Sequence, residues 1–272
     1  MPPALQHILI TLFLVGTAFV YVRGWIHLSR TLPNLIARSR LAAFLGGLAL
    51  LWIAVASPFA NLDDELLIVH MLQHLLIMTV AAPLILLGTP AVTLLHGLPQ
   101  SFVRTSLGPV LRSKILHWMG RCFTHPVICW LAGTGAVLAW HIPRVFELGM
   151  SSEVWHAVEH GCFLAAGLLF WWPIVQPWPS VARLPQWSAP LYLFLATLPC
   201  DALSAFLTFC DRVVYPSYMS TDRLFDLSAL QDQQWAGTLM WVWVTFAYLA
   251  PAASITMRLL SPRMAKTVEY SR

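Results

Sequence analysis

The sequence predicts an all-α polytopic membrane protein with seven transmembrane helices, and three observations support that prediction. Hydrophobic residues make up 58% of the 272 residues and charged residues only 10%, which is too apolar a balance for a soluble domain. A helix that crosses a bilayer needs about 20 mainly apolar residues, and several runs approach that length. The charged residues fall between those runs, so residues 1–272 are predicted to form a single transmembrane domain.

The predicted spans follow one another with mostly short connections. In chain order they are Ile8–Val22, Leu41–Phe59, Leu66–Leu87, Val127–Trp140, Val154–Val175, Ala189–Cys210 and Trp235–Leu260. Prolines inside spans are expected to kink the helices; they are Pro83, Pro199 and Pro251. The long connection at 88–126 contains an amphipathic stretch in which Ile115 and Trp118 lie beside basic residues. We expect a helix there on the inner membrane surface.

Basic and acidic connections alternate along the chain, and this alternation predicts the orientation. The connections after spans one and three and the C-terminal tail are basic, and the connection after span five holds Arg183. Most acidic residues lie after spans two, four and six. Because cytoplasmic loops carry an excess of lysine and arginine, we expect the N-terminus outside and the C-terminus in the cytoplasm. The net charge of +4 is then explained by those loops, and the expected surroundings are the lipid bilayer rather than nucleic acid.

Five histidines fall at the predicted outer ends of spans three, four and five. His70 and His74, in HMLQH, lie in the first turns of span three, and His141, in WHIP, ends span four. His156 and His160, in WHAVEH, lie in the first turns of span five. A spacing of four residues places both members of a pair on one helix face. Three helices can therefore present five imidazoles at one depth below the outer surface.

This set of side chains is typical of a metal site. Imidazole binds copper, zinc, iron and nickel, and affinity for divalent ions peaks at copper. A ligating histidine usually donates its other N–H to a carboxylate or carbonyl, and the candidates for a supporting role are Glu159, Asp201, Asp232 and Gln233. Met71 and Met78 offer thioethers that suit Cu(I), although Met71 points away from the face of His70 and His74.

Simpler interpretations stand beside the metal site. A single histidine near a span end more often forms an interfacial hydrogen bond than binds a metal. Asp232 and Gln233 open span seven and can simply cap it, because acids favour helix N-termini. Asp201 lies inside span six, where an acid marks either a site or a hydrogen bond to a neighbouring span. Haem is disfavoured, because a transmembrane bis-histidine haem takes one ligand from each of two helices and leaves the second pair unexplained.

Several motifs resemble the integral-membrane CtaG family of cytochrome c oxidase assembly factors, which are associated with caa-type oxidases. The motifs are HMLQHLLIMTVAAPLILLGTP, WHIP, WHAVEHGCFLAAGLLFWWP, YPSY and DQQWAGTLMW, and the resemblance extends from about Ser57 to Trp243. It implies a seven-span protein of the bacterial inner membrane that acts in the maturation of haem–copper oxidase, at the copper-insertion step. Residues that fall on the family's characteristic polar positions are His70, His74, His141, His156, His160, Asp232 and Gln233.

Three hypotheses about function follow. The first is a copper-binding assembly factor that receives copper on the outer side from a soluble copper chaperone and passes it to subunits of cytochrome c oxidase. The second is a membrane zinc hydrolase, with His70, His74 and Asp201 around zinc beside Ser152, since zinc with three protein ligands activates a bound water. The third is an assembly scaffold without a metal, in which the polar cluster only holds helices together.

Overall fold

The computed structural model describes residues 3–31, 37–177, 184–219 and 227–261. These residues form helices and no strand, which confirms the predicted all-α class. In chain order the helices are α1 (Pro3–Thr31), α2 (Arg38–Ala56), α3 (Leu67–Leu87), α4 (Pro90–Gly97), α5 (Lys114–Phe123), α6 (Pro126–Trp140), α7 (Pro143–Met150), α8 (Glu153–Val175), α9 (Ala189–Phe209) and α10 (Ala229–Leu260). Short 3₁₀ turns lie at Pro58–Leu62, Gln186–Ser188 and Pro216–Met219, and short helical turns occupy 100–111.

Within the described ranges, six helices are long and apolar enough to cross a membrane: α1, α2, α3, α8, α9 and α10. The count reaches seven when α5 and α6, which meet at a bend of 65°, are taken as one broken span. The predicted fourth span corresponds to α6, whose 15 residues are fewer than the ~20 that cross a bilayer. The amphipathic helix predicted before it is α5, where Ile115 and Trp118 are exposed.

The ends of some predicted spans were wrong by several residues. Helix α1 continues past its apolar run through Arg23 to Thr31. Helix α10 begins at Ala229, before the predicted start, because Ser228 and Gln231 form a capping box that starts the helix ahead of its apolar residues. Arg183, on which the predicted inner position of the fifth connection depends, lies outside the described residues.

Helix α3 is the most buried of the membrane-crossing helices. Leu76–Ala81 form a π-helical turn in its middle, and Pro83 follows, which cannot donate a backbone hydrogen bond to the preceding turn. Side chains of neighbouring helices occupy this stretch: the Trp171 Nε1–H donates to the Met78 carbonyl at 3.0 Å, and the Trp243 Nε1–H donates to Thr79 Oγ1 at 2.8 Å. Polar partners of this kind allow an irregular turn inside a membrane helix.

The bundle packs around α3. Helix α8 packs against α3 and α6, α10 packs against α3 and α9, and α2 lies along the second half of α3. Gly167 of α8 allows the close approach to α3, because a Cβ there would lie 3.0 Å from Met78 backbone atoms. The facing of α3 and α8 brings the two histidine pairs together.

Candidate metal centre

Four imidazoles from α3 and α8 form a compact four-sided cluster, called here the histidine cluster. Its members are His70, His74, His156 and His160. The ring centroids of His70 and His74 lie 4.3 Å apart, and those of His156 and His160 also lie 4.3 Å apart. Across the two helices, His70 stacks on His156 at 5.3 Å, and His74 faces His160 at 5.5 Å. The structure therefore brings together four of the five histidines that the sequence singled out.

The Glu159 carboxylate lies among the imidazoles rather than behind them. Its Oε1 is 3.6 Å from Nε2 of His70 and 3.6 Å from Nε2 of His74, and one ligand atom from each of these three residues lies within 4.8 Å of the others. Glu159 is 1% exposed. The sequence proposed it as a supporting residue, whereas here its carboxylate lies close enough to the imidazoles to serve as a ligand itself.

Asp63 completes a second group of possible ligands that the sequence analysis missed. Its Oδ2 lies 3.5 Å from Nε2 of His156, and Asp63, His70 and His156 bring ligand atoms within 4.8 Å of one another. Burial raises the pKa of the Asp63 carboxyl to about 6, with nearby His70 opposing the rise. The Tyr218 hydroxyl donates to the Asp63 carbonyl at 2.6 Å. The available clue was that Asp63 lies a few residues before His70 on the same predicted side.

Most of the cluster's buried polar atoms have no hydrogen-bond partner in the part of the chain that the structure describes. Both ring nitrogens of His70 and of His74, Nε2 of His156 and both carboxylate oxygens of Glu159 are buried without a hydrogen-bond partner among the described residues. Buried polar groups are almost always paired, and exceptions point to a water or an ion. Imidazole nitrogens and a carboxylate are a donor set that fits copper or zinc. The residues present therefore fit a metal ion.

Gln73 supports the cluster from α3, and the sequence analysis missed it as well. Its Nε2 donates to the Ala60 carbonyl at 3.0 Å, and this bond turns its Oε1 towards His160 Nε2, 3.3 Å away. The side chain is fully buried. An acceptor that orients a ligating histidine is a common feature of metal sites, and here an amide serves instead of the expected carboxylate.

His141 lies outside the histidine cluster, at the end of α6. Its Nδ1 lies 2.7 Å from the Val137 carbonyl, and its Nε2 lies 3.3 Å from the Met71 sulfur. The Tyr215 hydroxyl donates to the His141 carbonyl at 3.2 Å. The Met71 sulfur, expected to point away from the pair on α3, contacts the fifth histidine, and Met71 also lines a small cavity together with His74.

Asp232 and Gln233 act on the backbone near the site. Ser228 is the N-cap of α10, whereas Asp232 caps α3: its Oδ2 accepts from the Leu67 N–H at 2.7 Å and its Oδ1 from the Ile68 N–H at 3.1 Å. Gln233 Oε1 accepts from the Val214 N–H at 2.7 Å, and Gln233 Nε2 donates to the Arg212 carbonyl at 3.1 Å. These bonds hold the segment that carries Tyr215.

The residues of the zinc-hydrolase hypothesis are placed differently. Ser152 is the N-cap of α8, where its Oγ accepts from the Trp155 N–H at 3.4 Å. Asp201 is only partly buried in α9 and belongs to neither group of close ligand atoms among the described residues. A serine that caps a helix and an aspartate apart from the ligand groups do not form the expected hydrolytic arrangement.

An open cavity of about 390 Å³, called here the vestibule, leads to the histidine cluster. His156 and His160 line it, together with the acidic side chains of Asp63, Asp64 and Glu153. Asp64 is exposed, whereas His160 is half-buried. Acidic walls around a cleft raise the local concentration of cations. The vestibule therefore gives cations a route from the surface to the imidazoles.

Comparisons with known proteins identify a family. The model of the cytochrome c oxidase caa3 assembly factor family (Caa3_CtaG) matches residues 19–261. An uncharacterized protein of Mycobacterium leprae is 24% identical over 229 residues, which are 81% of this chain and 34% of the relative. Uncharacterized proteins of Mycobacterium bovis and Mycobacterium tuberculosis are each 25% identical over 241 residues, which are 84% of this chain and 36% of each relative. The chain thus spans about a third of the length of these curated relatives. No solved structure matches the chain.

Proposed function

Because the chain belongs to the cytochrome c oxidase caa3 assembly factor family, we propose that it binds copper at the histidine cluster and delivers it to a haem–copper oxidase. Copper is the cargo in this proposal. Family membership supports an assembly role with cytochrome c oxidase and gives no support to the zinc-hydrolase alternative. The oxidase subunits are the proposed recipients.

The observation that carries the proposal is the set of buried, unpartnered nitrogens and oxygens on His70, His74, His156 and Glu159. Leaving such groups unpaired costs ~1–3 kcal/mol each, and a bound cation would offset that cost for one nitrogen of each imidazole and for the carboxylate oxygen that it contacts. Copper is favoured over other divalent ions by an imidazole-rich set. With Glu159 the cluster offers five ligands, one more than a four-coordinate ion takes, which suits transfer, because ligands can be exchanged one at a time.

The vestibule supports loading from the outer side of the membrane. With the N-terminus outside, the acidic connections after α2 and before α8 face outwards, and these connections supply Asp63, Asp64 and Glu153. A soluble extracytoplasmic copper chaperone is the proposed donor. The proposed location is the inner membrane of a bacterium, with the spans in contact with lipid.

Metal content of the purified protein tests this proposal. The protein in detergent is loaded anaerobically with Cu(I) or, separately, with Zn(II), desalted and analysed for metal. The double variant His70→Ala/His156→Ala is compared with His117→Ala/His125→Ala, which removes two exposed imidazoles on or beside α5. We expect the cluster variant to retain less copper than the control, and cells carrying the cluster variant to make copper-deficient oxidase.

Other outcomes point to the other hypotheses. Equal copper retention in the two double variants, with normal oxidase copper, would contradict delivery from the cluster and favour the scaffold. Selective retention of Zn(II) by the unaltered protein would direct the search to a hydrolytic substrate.

A further inference from the structure

A second, smaller cavity adjoins the histidine cluster, and sulfur atoms line it. Its volume is about 20 Å³, which is enough for roughly one water-sized group. Among its lining residues are His74, His141, Met71, Met78, Met240 and Cys200, and all six are buried. The cavity is called here the thioether chamber. His74 lines the thioether chamber and also belongs to the histidine cluster, so this one side chain contacts both.

The hydrogen bonding of His141 determines which of its nitrogens carries the proton. The Val137 carbonyl oxygen, 2.7 Å from Nδ1, can only accept, so Nδ1 must be the protonated nitrogen. In the neutral ring Nε2 then carries a lone pair and no hydrogen. That lone pair faces the Met71 sulfur at 3.3 Å, and a thioether has no hydrogen to donate. Two electron-pair donors therefore face each other in a buried place.

The separation of these two donors suits a shared metal ion. Metal–nitrogen and metal–sulfur bonds at tetrahedral protein sites are about 2.0 Å and 2.3 Å long. At a near-tetrahedral angle, such bonds place the nitrogen and the sulfur about 3.5 Å apart, close to the 3.3 Å between His141 Nε2 and Met71 Sδ. Met78 and Met240 also line the chamber.

We propose that the thioether chamber is a second metal site, which holds Cu(I) between His141 and the methionines and receives it from the histidine cluster by way of His74. Soft thioether ligands select Cu(I) over harder divalent ions, whereas imidazole alone accepts several metals. The metal stays Cu(I) throughout, so the transfer needs no electron donor. This inference rests on the proposed function, because it assigns the same copper cargo a second binding site that is more selective for Cu(I).

X-ray absorption spectroscopy of the full-length protein, loaded anaerobically with Cu(I), tests the chamber directly. We expect sulfur as well as nitrogen neighbours around copper in the unaltered protein, with two equivalents of copper bound at saturation. The variant Met71→Leu/Met240→Leu, which preserves side-chain volume closely, should have fewer sulfur neighbours around copper and lose one equivalent. The matched control Met219→Leu/Met257→Leu removes two exposed methionines and should retain both.

The outcomes separate this inference from the proposed function. Copper surrounded only by nitrogen and oxygen in the unaltered protein, at a stoichiometry that Met71→Leu/Met240→Leu leaves unchanged, would overturn the chamber and leave the histidine cluster standing. Failure of the unaltered protein to bind any Cu(I) would overturn both. Loss of only the nitrogen-rich copper in His70→Ala/His156→Ala, with the sulfur-bound copper retained, would support two sites. Zn(II) loaded alone should show no sulfur neighbours.

Discussion

Gly149 is the residue at which α7 passes closest to the Glu159 carboxylate. A Cβ at Gly149 would lie 2.5 Å from Glu159 Oε2, so the absence of a side chain there lets the carboxylate occupy its place among the imidazoles. Phe146, three residues before Gly149 on α7, packs its ring 5.1 Å from that of His70. One face of α7 thus covers the cluster, and α7 can approach Glu159 this closely because Gly149 has no Cβ.

Replacing Gly149 with alanine should therefore damage both stability and metal binding. The added methyl group must displace the carboxylate or α7, and overpacking of this kind costs ~1–3 kcal/mol. The melting temperature in detergent and the retained copper should both fall. Gly161→Ala is the matched control, because nothing lies within 4 Å of a Cβ there, and alanine is favoured over glycine in a helix by up to ~1 kcal/mol. A Gly149→Ala protein that melts and binds like Gly161→Ala would contradict this account.

At the level of helices, α3 is held at its N-terminus by another span. The first N–H groups of a helix have no partner within the helix, and Asp232 of α10 accepts from two of them. This bond joins the start of α10 to the turn that precedes His70. The α10 start is itself fixed by the capping box of Ser228 and Gln231, so two successive caps position the histidine-bearing end of α3.

Asp232→Ala should destabilise the protein by about 1–3 kcal/mol, because it leaves buried N–H groups unpaired, and it should also weaken copper binding by loosening α3. Ser228→Ala removes the cap of α10 itself, in an exposed position, and should cost about 1 kcal/mol with copper affinity retained. Chemical unfolding in detergent and Cu(I) competition with a chelator measure the two effects. Equal copper affinities in the two variants would show that the cap on α3 does not position the cluster.

At the level of the whole molecule, shared histidines connect the two cavities through the cluster. His156 and His160 belong to the histidine cluster and line the acidic vestibule, and His74 belongs to the cluster and lines the thioether chamber. Ligand character changes along this path from hard oxygen to imidazole to soft sulfur. For the proposed copper cargo, such an order would favour movement of Cu(I) from the vestibule to the chamber, since each step offers a better match to a soft ion.

Neutralising the vestibule with Asp64→Asn/Glu153→Gln should slow copper acquisition more than it weakens equilibrium binding, because such charges act mainly on encounter rates. The difference from the unaltered protein should shrink as salt is added. Uptake is measured with a membrane-impermeant Cu(I) chelate. It should be rapid in right-side-out vesicles and slow in inverted ones, since the vestibule is predicted to face outwards. Faster loading of inverted vesicles would reverse the proposed orientation.

The sequence predicted most helices and the two histidine pairs, because both depend on local information. A run of apolar residues marks α3 within a residue of its observed start, and a spacing of four places His156 and His160 on one face. Asp63 and Gln73 were missed because their roles depend on which loop and which helix meet α8. The partner of His141 was missed for the same reason: only the fold reveals that His141, at the end of α6, contacts the Met71 sulfur.

The π-helical turn in α3 changes which sequence positions face the interior of the bundle on either side of it. A π turn accommodates one residue more than an α turn, and one residue corresponds to ~100° of rotation about the axis. The part of α3 that carries the imidazoles and the part that begins at Ala82 are therefore rotated relative to each other about the helix axis, compared with a continuous α-helix. If the α-helical spacing of inward-facing residues in the first half is continued through the π turn, it no longer predicts the inward-facing residues of the second half. The inward face must therefore be assigned separately for each half.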